Sequence, residues 1–350
     1  MNIGIPKEIK PFEGRVALTP KACAELIGNG HTLYMEHDAG VLSGFSDEQY
    51  ENANTTICHS NEALYKACEL IVKVKEPIEE DLKYLTSKHT LFCFLHLAAN
   101  TRLVKILAEK GLTAVAFESV VVDKQLPLLK PMSEIAGKLA VQIGSNLLHL
   151  HQGGQGVLLG GLSGAMTDKG HVLVAGAGSA GTQAALLAKD MGANVFVFDK
   201  YQPALERLAK INPDITLISN ESDCLALLPS INLLIGALLV AGKKTPCFIS
   251  REQLKLMQKG SVIVDISVDQ GGCIETTRPT TYSDPTYTEE GITHFCVGNM
   301  PGAVPRTATQ ALSALLPEYI QRLTLNNWYE NDNIMRNAVN IRSNKVLIGI

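Results

Sequence analysis

The stretch from His171 to Lys200, HVLVAGAGSAGTQAALLAKDMGANVFVFDK, restricts the fold more than any other part of the chain. An apolar run over 171–175 meets Gly176-x-Gly178-x-x-Gly181. An Ala-rich helical stretch follows, and a second apolar run ends at Asp199. The first glycine of such a unit makes a tight turn. The second lets backbone approach a pyrophosphate, and the third lets the helix pack closely on the strand. The helix start, with Ser179 and Ala180, offers N–H groups and the positive end of the helix dipole to phosphate oxygens. Asp199, 18 residues beyond Gly181, is placed to accept hydrogen bonds from ribose hydroxyls. The glycines alone are a weak signal. Strand, glycines, helix, strand and acid in one unit point to a dinucleotide site. A carboxylate at the ribose repels a 2′-phosphate, which favours NAD over NADP, with the neighbouring Lys200 as a counterweight.

Apolar β-rich runs alternate with helical patterns elsewhere. NIGIP, HTLYMEH, LIVKV, TLFCFLH and TAVAFESV read as strands. Helices are expected from Pro20 with Thr19 as N-cap, from Ser46, and over TRLVKILAEKG. A break at 123–131 precedes a long helix, MSEIAGKLAVQIGSNLLHLHQ, and a Gly-rich loop. A second series then runs through HVLVAG, ANVFVFD, ITLIS, INLLIGAL and SVIVDIS, and TATQALSALLPEYIQRLTLNN reads as helical. Alternation of this kind implies βαβ units and parallel sheets covered on both faces. At 350 residues there is room for two such α/β domains.

The formal net charge is −4, with no block of Lys and Arg, and aromatics are only 5%; both argue against nucleic acid as a partner. The eight cysteines include no C-x-x-C pair, which argues against zinc or a redox dithiol. Cys93, Cys247 and Cys296 lie in apolar runs and are expected to act as small hydrophobes, as reduced thiols do in a cytosolic protein. MNIGIPKEIK lacks the apolar core of a signal peptide. INLLIGALLVAG falls short of the roughly 20 residues a membrane span needs, so a soluble, cytoplasmic protein is expected. His149 and His151 fall on the long helix, where alternate residues face apart, so no metal site is expected there.

Four ionisable residues stand at strand ends. Arg15 follows the first strand, Lys75 ends LIVKVKEP, His96 ends TLFCFLH and Glu118 ends AVAFE. Ligands of open parallel sheets bind outside the carboxyl ends of the strands. Arg15 could clamp a carboxylate through two parallel hydrogen bonds. Lys75 could hold the same carboxylate or polarise a carbonyl, and His96 suits proton transfer near neutrality. Glu118 reads as structural. In SVIVDISVDQGG, Asp265 reads as a loop tether. Asp269, followed by Gly271 and Gly272, is placed near a bound nicotinamide.

GIPKEIKPFEGRVALTP, LIVKVKEP, FLHLAAN, PMSEIAGKLAVQIG, QGGQGVLLGG, VAGAGSAG, VDISVDQGGCIETTRPTTY and NMPGAVPRTAT, in this order, resemble the L-alanine dehydrogenase family over nearly the whole chain. The resemblance implies two Rossmann-like domains with parallel sheets. One is a discontinuous substrate domain, 1–128 with 307–350, and the other an NAD-binding domain, 129–306. It implies reversible oxidative deamination of L-alanine to pyruvate and ammonium with NAD, in a homohexamer. Carried over by motif, Arg15 and Lys75 are substrate ligands and His96 and Asp269 catalytic. Ser133 is a phosphate-side cofactor contact and Ser219 lies near the adenine. Leu238, Leu239, Ile266, Asp269, Asn299 and Met300 belong to cofactor-contacting loops. The closing segment NDNIMRNAVNIRSNKVLIGI departs from the family pattern. Rival readings are an N-(carboxyalkyl)amino-acid dehydrogenase, the NAD-binding component of a transhydrogenase, and a non-catalytic NAD-binding regulator. The set Arg15, Lys75, His96 and Asp269 argues against the last.

Overall fold

Short apolar runs buried on both faces cannot stand alone. In this chain each pairs in parallel with strands that arrive by crossover connections. The computed structural model describes residues 1–162, 167–239 and 245–347. The chain forms two compact units, Met1–Met132 with Gly302–Ile350, and Ser133–Pro301. In chain order the strands are β1 (Asn2–Ile5), β2 (Thr32–Glu36), β3 (Thr56–Cys58), β4 (Leu70–Val72), β5 (Thr90–Cys93), β6 (Thr113–Ala116) and β7 (His171–Ala175). There follow β8 (Asn194–Phe198), β9 (Thr216–Ile218), β10 (Leu233–Gly236), β11 (Val262–Asp265), β12 (Thr286–Glu289), β13 (Ile292–Phe295), β14 (Val339–Arg342) and β15 (Lys345–Val346).

The first unit has the sheet order β15-β14-β6-β5-β4-β1-β2-β3, and the second β12-β13-β11-β10-β7-β8-β9. Among the described residues, the antiparallel pairings of the two sheets are those of β14 with β6, β15 with β14 and β12 with β13, at the margins. The parallel strands of both sheets run third-second-first-fourth-fifth-sixth. This doubly wound order opens a crevice where the first and fourth strands diverge. It lies between β1 and β4 in one sheet and between β7 and β10 in the other.

Local chemistry sets the helix starts. Thr19 accepts the Ala22 N–H ahead of Pro20–Gly28. Ser46 and Gln49 form a reciprocal capping box ahead of Asp47–Glu51. The long helix is Lys130–Leu147, so it stops before the histidines. His149 is extended and Leu150–Gln152 forms a 3-10 turn, which corrects the helical placement of His149 and His151. The terminal helical stretch is two helices, Pro305–Ser313 and Leu316–Thr324, the second carrying Pro317 in its first turn, where a missing N–H is tolerated.

The first core gathers Leu64, Ile71, Leu91, Leu103 and Leu107, and the second Leu173, Leu234, Ile263 and Phe248. Phe92 meets Phe117 edge-on at 4.4 Å between centroids. Cys93 and Cys296 are buried as expected, and burial pushes the Cys296 thiol up to about 11. Cys247 is exposed instead, and the next two residues, Phe248 and Ile249, are the ones that enter the core. No helix among the described residues is long and apolar enough to cross a membrane.

Gly181 shows how tightly the second unit is built. A Cβ there would lie 1.8 Å from the Gly176 carbonyl oxygen, which is backbone and cannot swing aside. Gly181→Ala should therefore cost at least about 2 kcal/mol, read as a lowered denaturation midpoint of the second unit with the first unit's transition unmoved.

Candidate active site

A parallel strand that leaves its sheet presents N–H groups with no strand partner, and a buried N–H needs one. At the β4 end Glu8 supplies it, accepting from the N–H of Val74 at 2.6 Å and of Lys75 at 3.2 Å. At the β5 end Glu118 accepts from Leu95 at 3.1 and 3.2 Å and from His96 at 2.6 Å. Arg15, Lys75 and His96 follow β1, β4 and β5, the two strands that flank the crevice of the first unit and the one next to them.

Each is set in a charged surround. Arg15 is only 2% exposed, and its Nε and Nη2 donate to Glu13 at 2.7 and 2.5 Å. That edge, the one suited to a two-pronged carboxylate clamp, is therefore engaged, while Nη1 reaches the Met132 sulfur at 3.3 Å. The Lys75 ammonium lies 3.6 Å from Glu76, which also pairs with Lys10. Burial raises the Glu76 carboxyl, but Lys75 and Lys10 outweigh it, with His96 adding, and hold it below the ordinary carboxylate value. Lys75 and His96 therefore share one acidic neighbour. His96 is exposed, its backbone is left-handed (φ 48, ψ 39), and its ring stacks with Phe94 at 5.8 Å.

Beneath them lies a network absent from the sequence reading. Lys73, 1% exposed, is 3.5 Å from Glu8 and 3.2 Å from Asp81, and the Tyr65 hydroxyl donates to Asp81 at 2.8 Å. Burial disfavours the Lys73 charge, yet Glu8 and Asp81 prevail and raise its pKa. Burial likewise raises the Glu8 carboxyl, with Lys73 opposing. The signal was present in LIVKV, where a lysine interrupts a fully apolar strand run. Glu13 carries no comparable mark.

In the second unit Gly176 follows β7 with φ 115, and a Cβ on it would meet the Ala237 carbonyl at 2.5 Å. This turn and the end of β10 thus touch across the crevice. Leu238 there is half-buried and Leu239 is 53% exposed; residues 240–242, the end of GALLVAG, lie outside the described residues. Around Gly178 nothing lies within 4 Å of a built Cβ, and the helix Ser179–Asp190 that it precedes has no side-chain cap. Open space over uncapped N–H groups fits a pyrophosphate. Asp199 ties the turn down, accepting from Ala177 at 2.7 Å and Tyr201 at 2.8 Å. A carboxylate has further lone pairs to offer a ribose. Lys200 pairs with Glu221 at 2.8 Å. Ser219 is exposed just beyond β9. Ser133 lies one turn from Gly137, whose built Cβ would come within 2.0 Å of the Ala180 carbonyl, so its helix presses on the start of the motif helix.

The loop after β11 hangs on Asp265. This buried carboxylate accepts from Ser267 N and Cys273 N, both at 2.9 Å, and from the Thr277 hydroxyl at 2.7 Å. Burial raises its pKa against those hydrogen bonds. The loop carries a partly buried Ile266 and an exposed Asp269, which accepts from Asn299 N at 3.3 Å. Met300 beside it is buried, and its carbonyl accepts from Tyr282 at 3.1 Å. The structure thus brings Asp269, Asn299 and Met300 together in one unit, and Arg15, Lys75 and His96 along one sheet edge in the other.

Known proteins resemble this chain over nearly its whole length. The family model described as "Alanine dehydrogenase/PNT, N-terminal domain" matches residues 4–136, and "Alanine dehydrogenase/PNT, C-terminal domain" matches 140–348. The second match takes in most of the closing segment set apart above. The chain is 44% identical over 322 residues to "Alanine dehydrogenase" of Bacillus subtilis (strain 168), covering 91% of this chain and 84% of the relative. A solved "L-alanine dehydrogenase" aligns with a TM-score of 0.94 at 41% identity, over 99% of this chain and 97% of the other. A transhydrogenase from Sinorhizobium meliloti shares the fold, with a TM-score of 0.86 at 23% identity over 99% of each chain.

Glu76 yields a pH prediction. Its folded-state pKa lies below the unfolded value near 4.5, so its stabilising contribution is present above that value and lost as pH falls through the folded one. Acid titration of stability should be less steep below about pH 4.5 in Glu76→Gln than in the unaltered protein; equal slopes would contradict the ion-pair assignment.

Proposed function

The chain belongs to the alanine dehydrogenase/PNT family, and from that premise we propose that it catalyses the NAD-dependent, reversible oxidative deamination of L-alanine to pyruvate and ammonium. It is an oxidoreductase with two α/β units built on mostly parallel sheets. The observation that carries the substrate reading is the placing of Lys75 and His96 beyond adjacent parallel strands, around the shared acid Glu76.

NAD, when bound, supplies the hydride acceptor, and the Gly176–Gly181 turn, Ser133, Asp199, Ser219 and the loops with Leu238, Leu239, Ile266, Asn299 and Met300 are the residues that would hold it. Arg15 and Lys75 bind the substrate carboxylate as cations. Glu13, on the Nε–Nη2 edge, fixes the guanidinium plane. The exposed His96 imidazole takes a proton from the water that adds to the oxidised, iminium form of the substrate. It returns that proton to the departing amine as the carbinolamine collapses to pyruvate. Asp269, carried over by motif, is the second catalytic residue on this reading. Proton transfer contributes on the order of 10²–10⁴-fold, and positioning the other large share. On the same reading the enzyme works as a cytoplasmic homohexamer.

Formation of NADH should be seen with L-alanine and its consumption with pyruvate plus ammonium. Replacing ammonium by amino acids as amine donors separates this activity from an N-(carboxyalkyl)amino-acid dehydrogenase. His96→Ala should abolish turnover while NADH still binds, as followed by fluorescence; near-full deamination in that variant would defeat the assignment.

A further inference from the structure

We propose that Glu118 is a positioning residue that holds His96 in its working backbone conformation, an inference that rests on the catalytic role given to His96 above. The last paired residues of β5 and β6 are Cys93 and Ala116, and past them the two strand ends separate. Phe94 still donates to Val74 on the other side, at 3.0 Å. The next two N–H groups, of Leu95 and His96, both turn to the Glu118 carboxylate. Leu95 is fully buried, and the N–H of a buried residue needs an acceptor.

Two successive N–H groups converge on one acceptor only when the peptide between them is turned so that both face the same way. The Leu95 torsions set that turn, and His96, whose own N–H the carboxylate thereby anchors, follows at φ 48, the left-handed region, where a side chain other than glycine is under strain. Strain of this kind persists only when the surroundings impose it. The shortest of the contacts, 2.6 Å, falls on the His96 N–H itself. Released from the carboxylate, His96 relaxes to negative φ and its Cα–Cβ bond swings, which carries the imidazole off its proton-transfer position. Glu118 comes from the 3-10 turn Phe117–Ser119, and Phe117 packs edge-on against Phe92 and Phe94, so the clamp stands on a rigid base. Oε1 takes the His96 N–H and one Leu95 contact, while Oε2 takes only Leu95. A glutamine with its carbonyl at the Oε1 place therefore keeps most of the clamp, whereas aspartate, one methylene shorter, keeps the charge and loses the reach.

The test is a series of Glu118→Ala, Glu118→Asp and Glu118→Gln variants in the full enzyme, with L-alanine and NAD. Displacing a reacting group by about 1 Å costs on the order of 10²-fold, so kcat should fall by about that factor in E118A and by about tenfold in E118D. E118Q should stay within about threefold, and KM for alanine and NADH affinity should barely move in any of them. If E118A does not fold, E118D decides. A kcat within about twofold of the unaltered enzyme in both, or a rise in KM at constant kcat, overturns the proposal. Should the unaltered enzyme form no NADH from L-alanine, the functional reading fails by itself. The clamp is then judged by a crystal structure of E118A, in which His96 remaining near φ 48 overturns it.

Discussion

The structure depends on what happens where parallel strands stop. Inside the sheet every N–H has a strand partner; at the carboxyl edge it does not, and this is the edge where the chemistry must sit. Here carboxylates close the gap. Glu8 serves β4, Glu118 serves β5, Asp199 serves the turn after β7 and Asp265 the loop after β11. Each acid lies beside a residue or loop assigned to substrate or cofactor. The same contacts that satisfy the backbone therefore aim the functional groups, so fold and site share their supports.

Around the first crevice this arrangement demands charge balance. Glu8, Glu13, Asp81 and Glu76 are opposed by Lys73, Arg15, Lys75 and Lys10. The buried pairs among these, Arg15 with Glu13 and Lys73 with Glu8 and Asp81, add little net stability against a well-packed apolar core, but removing one partner strands the other at a cost of about 3–5 kcal/mol. Their value is geometric. Lys73 cannot reach substrate, yet it fixes the acid that holds the backbone of Lys75.

Much of this was legible from residues alone. The unit from His171 to Asp199 revealed its strand, turn and helix because each glycine has a steric duty, and Gly181 performs it against the Gly176 carbonyl. Arg15, Lys75 and His96 could be placed on one edge because strand alternation fixes which ends face the same way. Glu118 could not be read beyond a structural role, since its partners are backbone N–H groups, and backbone leaves no trace in composition. The engagement of Arg15 by Glu13 was hidden for a related reason: two residues apart in a loop, their mutual geometry follows no periodicity. β3, β12, β13, β14 and β15 were missed because each is only two to four residues long, too short to show a period in the sequence.

The chain leaves the first unit at Met132 and returns at Gly302, and the partner of β6 is β14, Val339–Arg342. A ribosome must therefore deliver nearly the whole polypeptide before that sheet can be finished. Until then β6 is an open edge with buried-type residues, the kind of template on which unlike chains pair. The second unit, continuous in sequence, has no such wait. The two halves of one enzyme thus differ in their exposure to misassembly during synthesis, and the first is the half that needs protection.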